Sequence, residues 1–179
     1  VVVPPPYWTD KQANGVNYIG AKTNEVPTVT IQLSIEAGHR YEDIRKAGVS
    51  GFTAAMMNEG TVKWKSEEIA EKLDRMGSSV GVYGGTQDIT VVITCLSKHI
   101  DSTLAIAEEM LYHPRFDAAD FDRLKKQRLE AIANQGTQAT TIANNVYAKL
   151  LYGSAHIMSI PAIGNVETVG KLTFDDIKD

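Results

Sequence analysis

The sequence predicts an α+β domain: a mixed, largely antiparallel sheet with helices packed on one face. Three observations carry this expectation. Residues 28–36 alternate strictly, with Val29, Ile31, Leu33 and Ile35 set against Thr30, Gln32, Ser34 and Glu36, as a strand with one covered face requires. Runs 78–83 and 88–96 flank Gly84-Gly85, a hairpin signal, and the second arm places Val91, Ile93 and Cys95 on one side. Beyond residue 100 the spacing becomes helical and stays so. Strands first, then a hairpin, then helices, give an α+β layer with helices packed on one sheet face.

Taken in order, residues 1–13 are expected to be an extended, Pro-rich linker, because Pro4, Pro5 and Pro6 favour polyproline II geometry. Residues 14–179 form one domain, expected to be truncated at its C-terminal end and excised from a longer polypeptide. Asn14-Gly15 marks a turn, and 16–23 and 28–36 are strands joined through 24–27. Residues 47–58 are small and apolar without alternation, closed by Glu59-Gly60, and predict a buried helix. Ser66 can cap the next helix, with Glu67 and Glu68 in its positively polarised first turn and Ile69, Leu73 and Met76 inward until Gly77. Asp101 opens a helix bearing Leu104, Ala107 and Leu111. Asp117 opens a longer one, with Asp120 at the capping-box position and Phe121, Leu124, Leu129 and Ile132 on one side. Gly136 interrupts it, and Ile142, Val146 and Leu150 continue helical spacing to Gly153. Thr173 and Asp176 have the spacing of a final capping box.

Composition narrows the function classes. The chain has 179 residues, enough for one core, and no apolar run long enough to span a bilayer. A formal charge of −4 offers nucleic acid no attraction, and the cluster Arg123, Lys125, Lys126 and Arg128 reads as a solvated helix face. Cys95 stands alone, which excludes an intrachain disulfide and fits a buried strand cysteine. Of the histidines, His39, His99, His113 and His156, none is read as lying at ligand spacing from another histidine or from an acidic partner on one helix face. His39 is assigned a structural role in the Gly38 turn. Ser78-Ser79 and Gly84-Gly85-Thr86 lack the context of a nucleophile elbow or a phosphate loop. Glu108 and Glu109 point about 100° apart on a helix and are read as a solvated acidic face rather than a catalytic pair.

One stretch carries a more specific signal. Ala37-Gly38-His39-Arg40-Tyr41-Glu42, then Lys46-Ala47-Gly48-Val49-Ser50-Gly51-Phe52-Thr53-Ala54-Ala55-Met56-Met57-Asn58-Glu59-Gly60-Thr61, resembles the active-site segment of the insulinase/pitrilysin zinc peptidases. The resemblance continues through the Gly-Ser-Ser hairpin at 77–79, Pro114-Arg115-Phe116, the 121–130 helix, Tyr152-Gly153 with His156, and 164–176. It thus covers nearly the whole chain. In that family the helix carries H-x-x-E-H: two histidines on adjacent turns bind zinc, and the glutamate deprotonates the attacking water. Placed on this pattern, the histidines fall at Gly51 and Ala55, the glutamate at Ala54, and a third ligand from a later helix at about Ala131, beside Glu130. None of the first three side chains can ligate a metal or accept a proton, and a lone Glu130 would not make a zinc site.

The resemblance implies a non-catalytic domain with no metal or cofactor of its own, from the second half of a long member of the family. Its partner would be the catalytic half of the same polypeptide, or an active peptidase subunit, and zinc would reside there. The two halves of such enzymes enclose a peptide, and this domain would form part of that wall. The alternative is a purely structural assembly module without peptide contacts. A bacterial periplasmic or exported location is implied by the resemblance alone.

Overall fold

A computed structural model describes residues 6–22 and 25–178 of the chain. The alternating run at 28–36 forms strand β3 (Thr28–Ile35), and the glycine-centred hairpin forms β4 (Ser79–Gly84) and β5 (Ile89–Leu96). They make one three-stranded sheet in the order β3-β5-β4, antiparallel throughout, with Val91 facing Leu33 on one side and Val82 on the other. Ahead of it, β1 (Tyr7–Lys11) pairs with β2 (Asn17–Ala21) in a separate antiparallel ribbon.

β1 corrects the expectation of a linker through residue 13. Tyr7, Trp8 and Thr9 have strand propensity, and the Asn14-Gly15 turn, where Asn14 Oδ1 accepts from the Val16 amide at 3.2 Å, brings them back onto 17–21. Residues 1–5, and with them most of the proline run, lie outside the described residues, as do 23 and 24 at the expected end of the second strand.

Two clusters make the core, and both include the helix predicted at 47–58, α1 (Val49–Met57). On one side Ala54 joins Val82, Val91 and Ile93 of the sheet, Ile69 and Leu73 of α2 (Ser66–Met76), and Ile106, Ala107 and Met110 of α3 (Ile100–Tyr112). On the other side Phe52 and Met56 pack with Phe121 of α4 (Ala118–Gln135), and with Leu172 and Ile177 around α6 (Val166–Lys171) and α7 (Asp175–Lys178). The rings of Phe52 and Phe121 lie 5.1 Å apart, and Phe121 meets Phe174 edge-on at 5.8 Å. Cys95 is buried in the sheet.

Several local expectations shift. Leu33 and Ile35 remain 38% and 42% exposed, because β3 is an edge strand and the helices cover the other two strands more fully. The buried residues of α3 are Thr103, Ile106, Ala107, Glu109 and Met110, while Leu104 is 37% exposed; Glu109 thus departs from the expected solvated acidic face, and of that pair only Glu108 is exposed. Between α4 and α6, α5 (Ala139–Tyr152) has no buried residue, so Ile142, Val146 and Leu150 form an uncovered stripe.

Two of the expected helix starts shift. Ser66 is the first residue of α2, and the Lys65 amide before it donates to Glu68 Oε2 at 2.8 Å. His99 holds the N-cap of α3, leaving Asp101 in the first turn. Asp117 caps α4 through the Ala119 amide at 2.8 Å, but Asp120 does not complete a box: it pairs with Arg115 and Arg123. The last box forms as predicted, with Asp176 Oδ2 accepting from the Thr173 amide at 2.7 Å and Thr173 Oγ1 accepting from the Asp176 amide at 3.3 Å.

Candidate functional site

α1 begins at Gly48, whose backbone (φ +101°) is left-handed; a side chain there would also press on the Ile163 carbonyl, 2.9 Å from a Cβ position. At this helix start, where backbone amides lack intrahelical partners, the Glu42 carboxylate accepts from the Gly48 and Ser50 amides at 2.8 Å each and from Ser50 Oγ at 2.5 Å. Glu42 also meets His39 Nδ1 at 2.7 Å, and His39 Nε2 lies 2.9 Å from the Ile160 carbonyl. Both partners of the ring are acceptors, so only the imidazolium can donate to both.

His39 and Glu42 are buried, with side chains 2% and 3% exposed. Burial by itself would lower the His39 pKa, but the hydrogen bond and charge of Glu42 and the Ile160 and Ile157 carbonyls outweigh it, and the pKa is raised. Burial likewise opposes ionisation of Glu42, yet His39, Ser50 and the Gly48 amide hold its pKa below the ordinary value. Ser50 bonds to the carboxylate rather than to the imidazole, so the trio is a helix cap and not a nucleophile with its base.

The positions expected to replace the zinc motif sit on this helix and on α4. Ala54 is buried in the sheet-side cluster, Gly51 and Ala55 are half-buried, Ala131 is half-buried on α4, and Glu130 is exposed. Over Gly51 lies Arg128 of α4. Its two terminal nitrogens donate to the carbonyls of Gly48 and Gly51, 2.9 Å each, and its guanidinium stands 5.0 Å from the centre of the Phe52 ring. Burial lowers its pKa against the attraction of Glu42, and a guanidinium stays charged throughout the working range of a protein. Lys125 reaches across to the Leu172 carbonyl at 2.7 Å. The basic cluster is therefore not a solvated face: two of its four members tie helices together, because their long stems can span a helix interface.

On the strand side, α1 lies against β4. A Cβ at Gly84 would fall 2.5 Å from the Gly51 Cα, so the two backbones meet with no side chain between them. The Asn58 carboxamide accepts from the Val82 amide at 3.0 Å and donates to the carbonyls of Val82 and Ala54, each at 2.8 Å. Nothing in the local spacing around Asn58 announces this bridge.

Among the described residues no group of three or more His, Cys, Asp or Glu side chains could hold a metal ion. The histidines are dispersed: His39 beneath α1, His99 capping α3, His156 stacked on Tyr152 at 5.4 Å, and His113 at the end of α3. His113 corrects the expectation that none has an acidic partner on its helix, since Glu109 lies one turn back at 3.7 Å; Lys63 also engages that carboxylate, leaving an ion pair.

The sequence contains no His-x-x-Glu-His, and its matches to other proteins are nonetheless extensive. Residues 18–157 match the model of the insulinase family, peptidase family M16. A Bacillus subtilis protein named as an uncharacterized zinc protease is 27% identical over 165 residues, which is 92% of this chain and 40% of that protein. The fold superposes on a peptidase M16 inactive domain from Pseudomonas fluorescens with a TM-score of 0.88 at 24% identity, covering 96% of this chain and 42% of that one. It superposes on the periplasmic protease PqqL of Escherichia coli with a TM-score of 0.80 at 19% identity, covering 99% of this chain and 21% of the other. With most of its length matched, this chain belongs to the insulinase family of M16 peptidases, as a domain without the family's zinc motif.

Proposed function

We propose that this chain is a non-catalytic domain of an M16-type zinc metallopeptidase, forming part of the wall around a bound peptide and contacting the half that carries the metal. The observation that supports the reading is a chain that matches the family model over residues 18–157 without any His-x-x-Glu-His, in which the Arg128 guanidinium donates to the Gly48 and Gly51 carbonyls at the start of α1. A fixed positive charge there opposes a dication. Within this reading zinc belongs to the partner half, in the same polypeptide or in a separate subunit, and an exported location accords with the likeness to a periplasmic protease.

The test compares zinc content and cleavage of an unstructured peptide for this chain alone, for an active M16 half alone, and for the two together. The reading expects no stoichiometric zinc in this chain, and cleavage by the pair that exceeds that of the active half. Stoichiometric zinc and cleavage by this chain alone would overturn it. The uncovered stripe of α5 favours a second reading, an assembly module that meets only other folded surfaces. Cleavage by the pair no faster than by the active half, together with a stable complex, would select it.

A further inference from the structure

The two outer edges of the main sheet differ in kind. Asn58 takes both the amide and the carbonyl of Val82, so these groups point away from β5 and out of the free side of β4, as at a non-hydrogen-bonded position of an antiparallel ladder. The side-chain amide thus repeats the pattern an added strand would present, one donor and one acceptor to a single residue. Two residues on, the backbone of α1 at Gly51 abuts Gly84. The Asn58 amide nitrogen also donates to the Ala54 carbonyl at 2.8 Å, which gives the carboxamide a third anchor within its own helix. β3 is different: its eight residues hold no charge and no proline, and Thr30, Gln32 and Ser34 are exposed.

We infer that Asn58 is an internal strand surrogate that closes the β4 edge against strand addition by an extended peptide. Addition of a strand to a sheet depends on free main-chain groups at the edge. At Val82 they are already engaged, and a competing peptide must first displace an amide held at three points. The inference is independent of the chamber reading, since a wall can enclose a peptide through side chains without pairing to it.

The experiment uses reduced, carboxymethylated ribonuclease A as an unfolded polypeptide probe, with a photoreactive p-benzoylphenylalanine placed at Tyr83, an exposed β4 residue, or at Gln32 on β3. Asn58→Ala removes the surrogate. Labelling from position 83 should be near background in the parent chain and rise roughly thirtyfold in Asn58→Ala, the scale set by losing two net hydrogen bonds, while labelling from position 32 stays unchanged. Amide exchange provides the control for folding: Val82 should exchange faster in the variant while Val91 keeps its protection. Should Asn58→Ala fail to fold, Asn58→Asp serves, since it keeps an acceptor for the Val82 amide, loses both donors, and should give an intermediate rise. Equal labelling from position 83 in parent and variant, or no rise in a folded variant whose Val82 amide has been released, would overturn the inference.

Discussion

Arg128 donates to the main-chain carbonyl of Gly51 from 2.9 Å, with its second nitrogen on Gly48, so one side chain from α4 fixes the start of α1 from outside that helix. Carbonyls of a first helical turn are engaged within the helix, and the extra donor adds a charge-assisted bond rather than replacing a local one. Arg128→Met keeps much of the stem packing over Phe52 and removes the donors. It should lower stability by about 2–3 kcal/mol, read from urea denaturation. Arg128→Lys, with no planar fork to reach both carbonyls, should recover only part of that loss.

The same contact predicts the result of rebuilding a metal site. Gly51→His, Ala54→Glu, Ala55→His and Ala131→Glu together should not confer tight zinc binding while Arg128 is present, because the guanidinium lies within van der Waals distance of a Gly51 side chain, 3.5 Å from its Cβ position. Adding Arg128→Ala should increase zinc affinity, as measured by competition with a chromogenic chelator. The glutamate at the buried Ala54 position would carry a desolvation penalty and lower stability.

His39 and Glu42 should make stability depend on pH at both ends. The raised His39 pKa means its contribution is fully present below the unfolded value near 6.5 and is lost as pH rises through the folded value. The depressed Glu42 pKa means the opposite: its contribution is present above the unfolded value of 4.5 and is lost as pH falls through the folded one. Urea midpoints measured between pH 5 and 9 should therefore fall on the alkaline side, and His39→Gln should flatten that limb. His39→Ala, which strands a buried carboxylate, should cost about 3 kcal/mol or more near neutrality.

The closing box has its own acid signature. Lys46 at 2.5 Å and Thr173 hold the Asp176 pKa down to about 2, so this contribution is present above pH 3.8 and fades toward pH 2. Both Asp176 and Lys46 are partly exposed, and the effect should be small. Thr173→Ala should cost about 1 kcal/mol and Asp176→Asn less, seen as shifts of thermal midpoint.

Uncovered apolar surface should drive association of the isolated chain. Val146, Leu150 and Leu151 on α5 are 52%, 81% and 58% exposed, and the outer edge of β3 carries no charge. Sedimentation should show concentration-dependent self-association, reduced by Leu150→Glu if α5 is the contact and by Gln32→Lys if the β3 edge is. A strict monomer at high concentration would contradict the expectation.

Much of the fold was legible because it depends on local pattern. Alternation over 28–36, the hairpin around Gly84-Gly85, the Gly77 stop and the Thr173/Asp176 box are relations between near neighbours; the box and the stop appear where expected, and the strands within a residue at each end. Exposed ends of those patterns were less legible. Whether Leu33 is covered depends on how far α3 extends over an edge strand, and the inward side of α3 was set by the neighbours it meets rather than by its leucines.

The sequence by itself determined that the chain carries no H-x-x-E-H, that Gly51, Ala54 and Ala55 offer neither ligands nor a base, and that the surrounding framework resembles an insulinase-type domain. Only the tertiary structure decided what engages the altered helix. Arg128 was one member of a basic run 77 residues after Gly51, His39 one histidine in a turn 121 residues before Ile160, and Asn58 an ordinary helix-end residue 24 positions from Val82. Local spacing ranks none of these partners above any other. A long side chain gains its role from the carbonyls and amides that folding brings within reach, and those are set by how α1, α4 and β4 pack together.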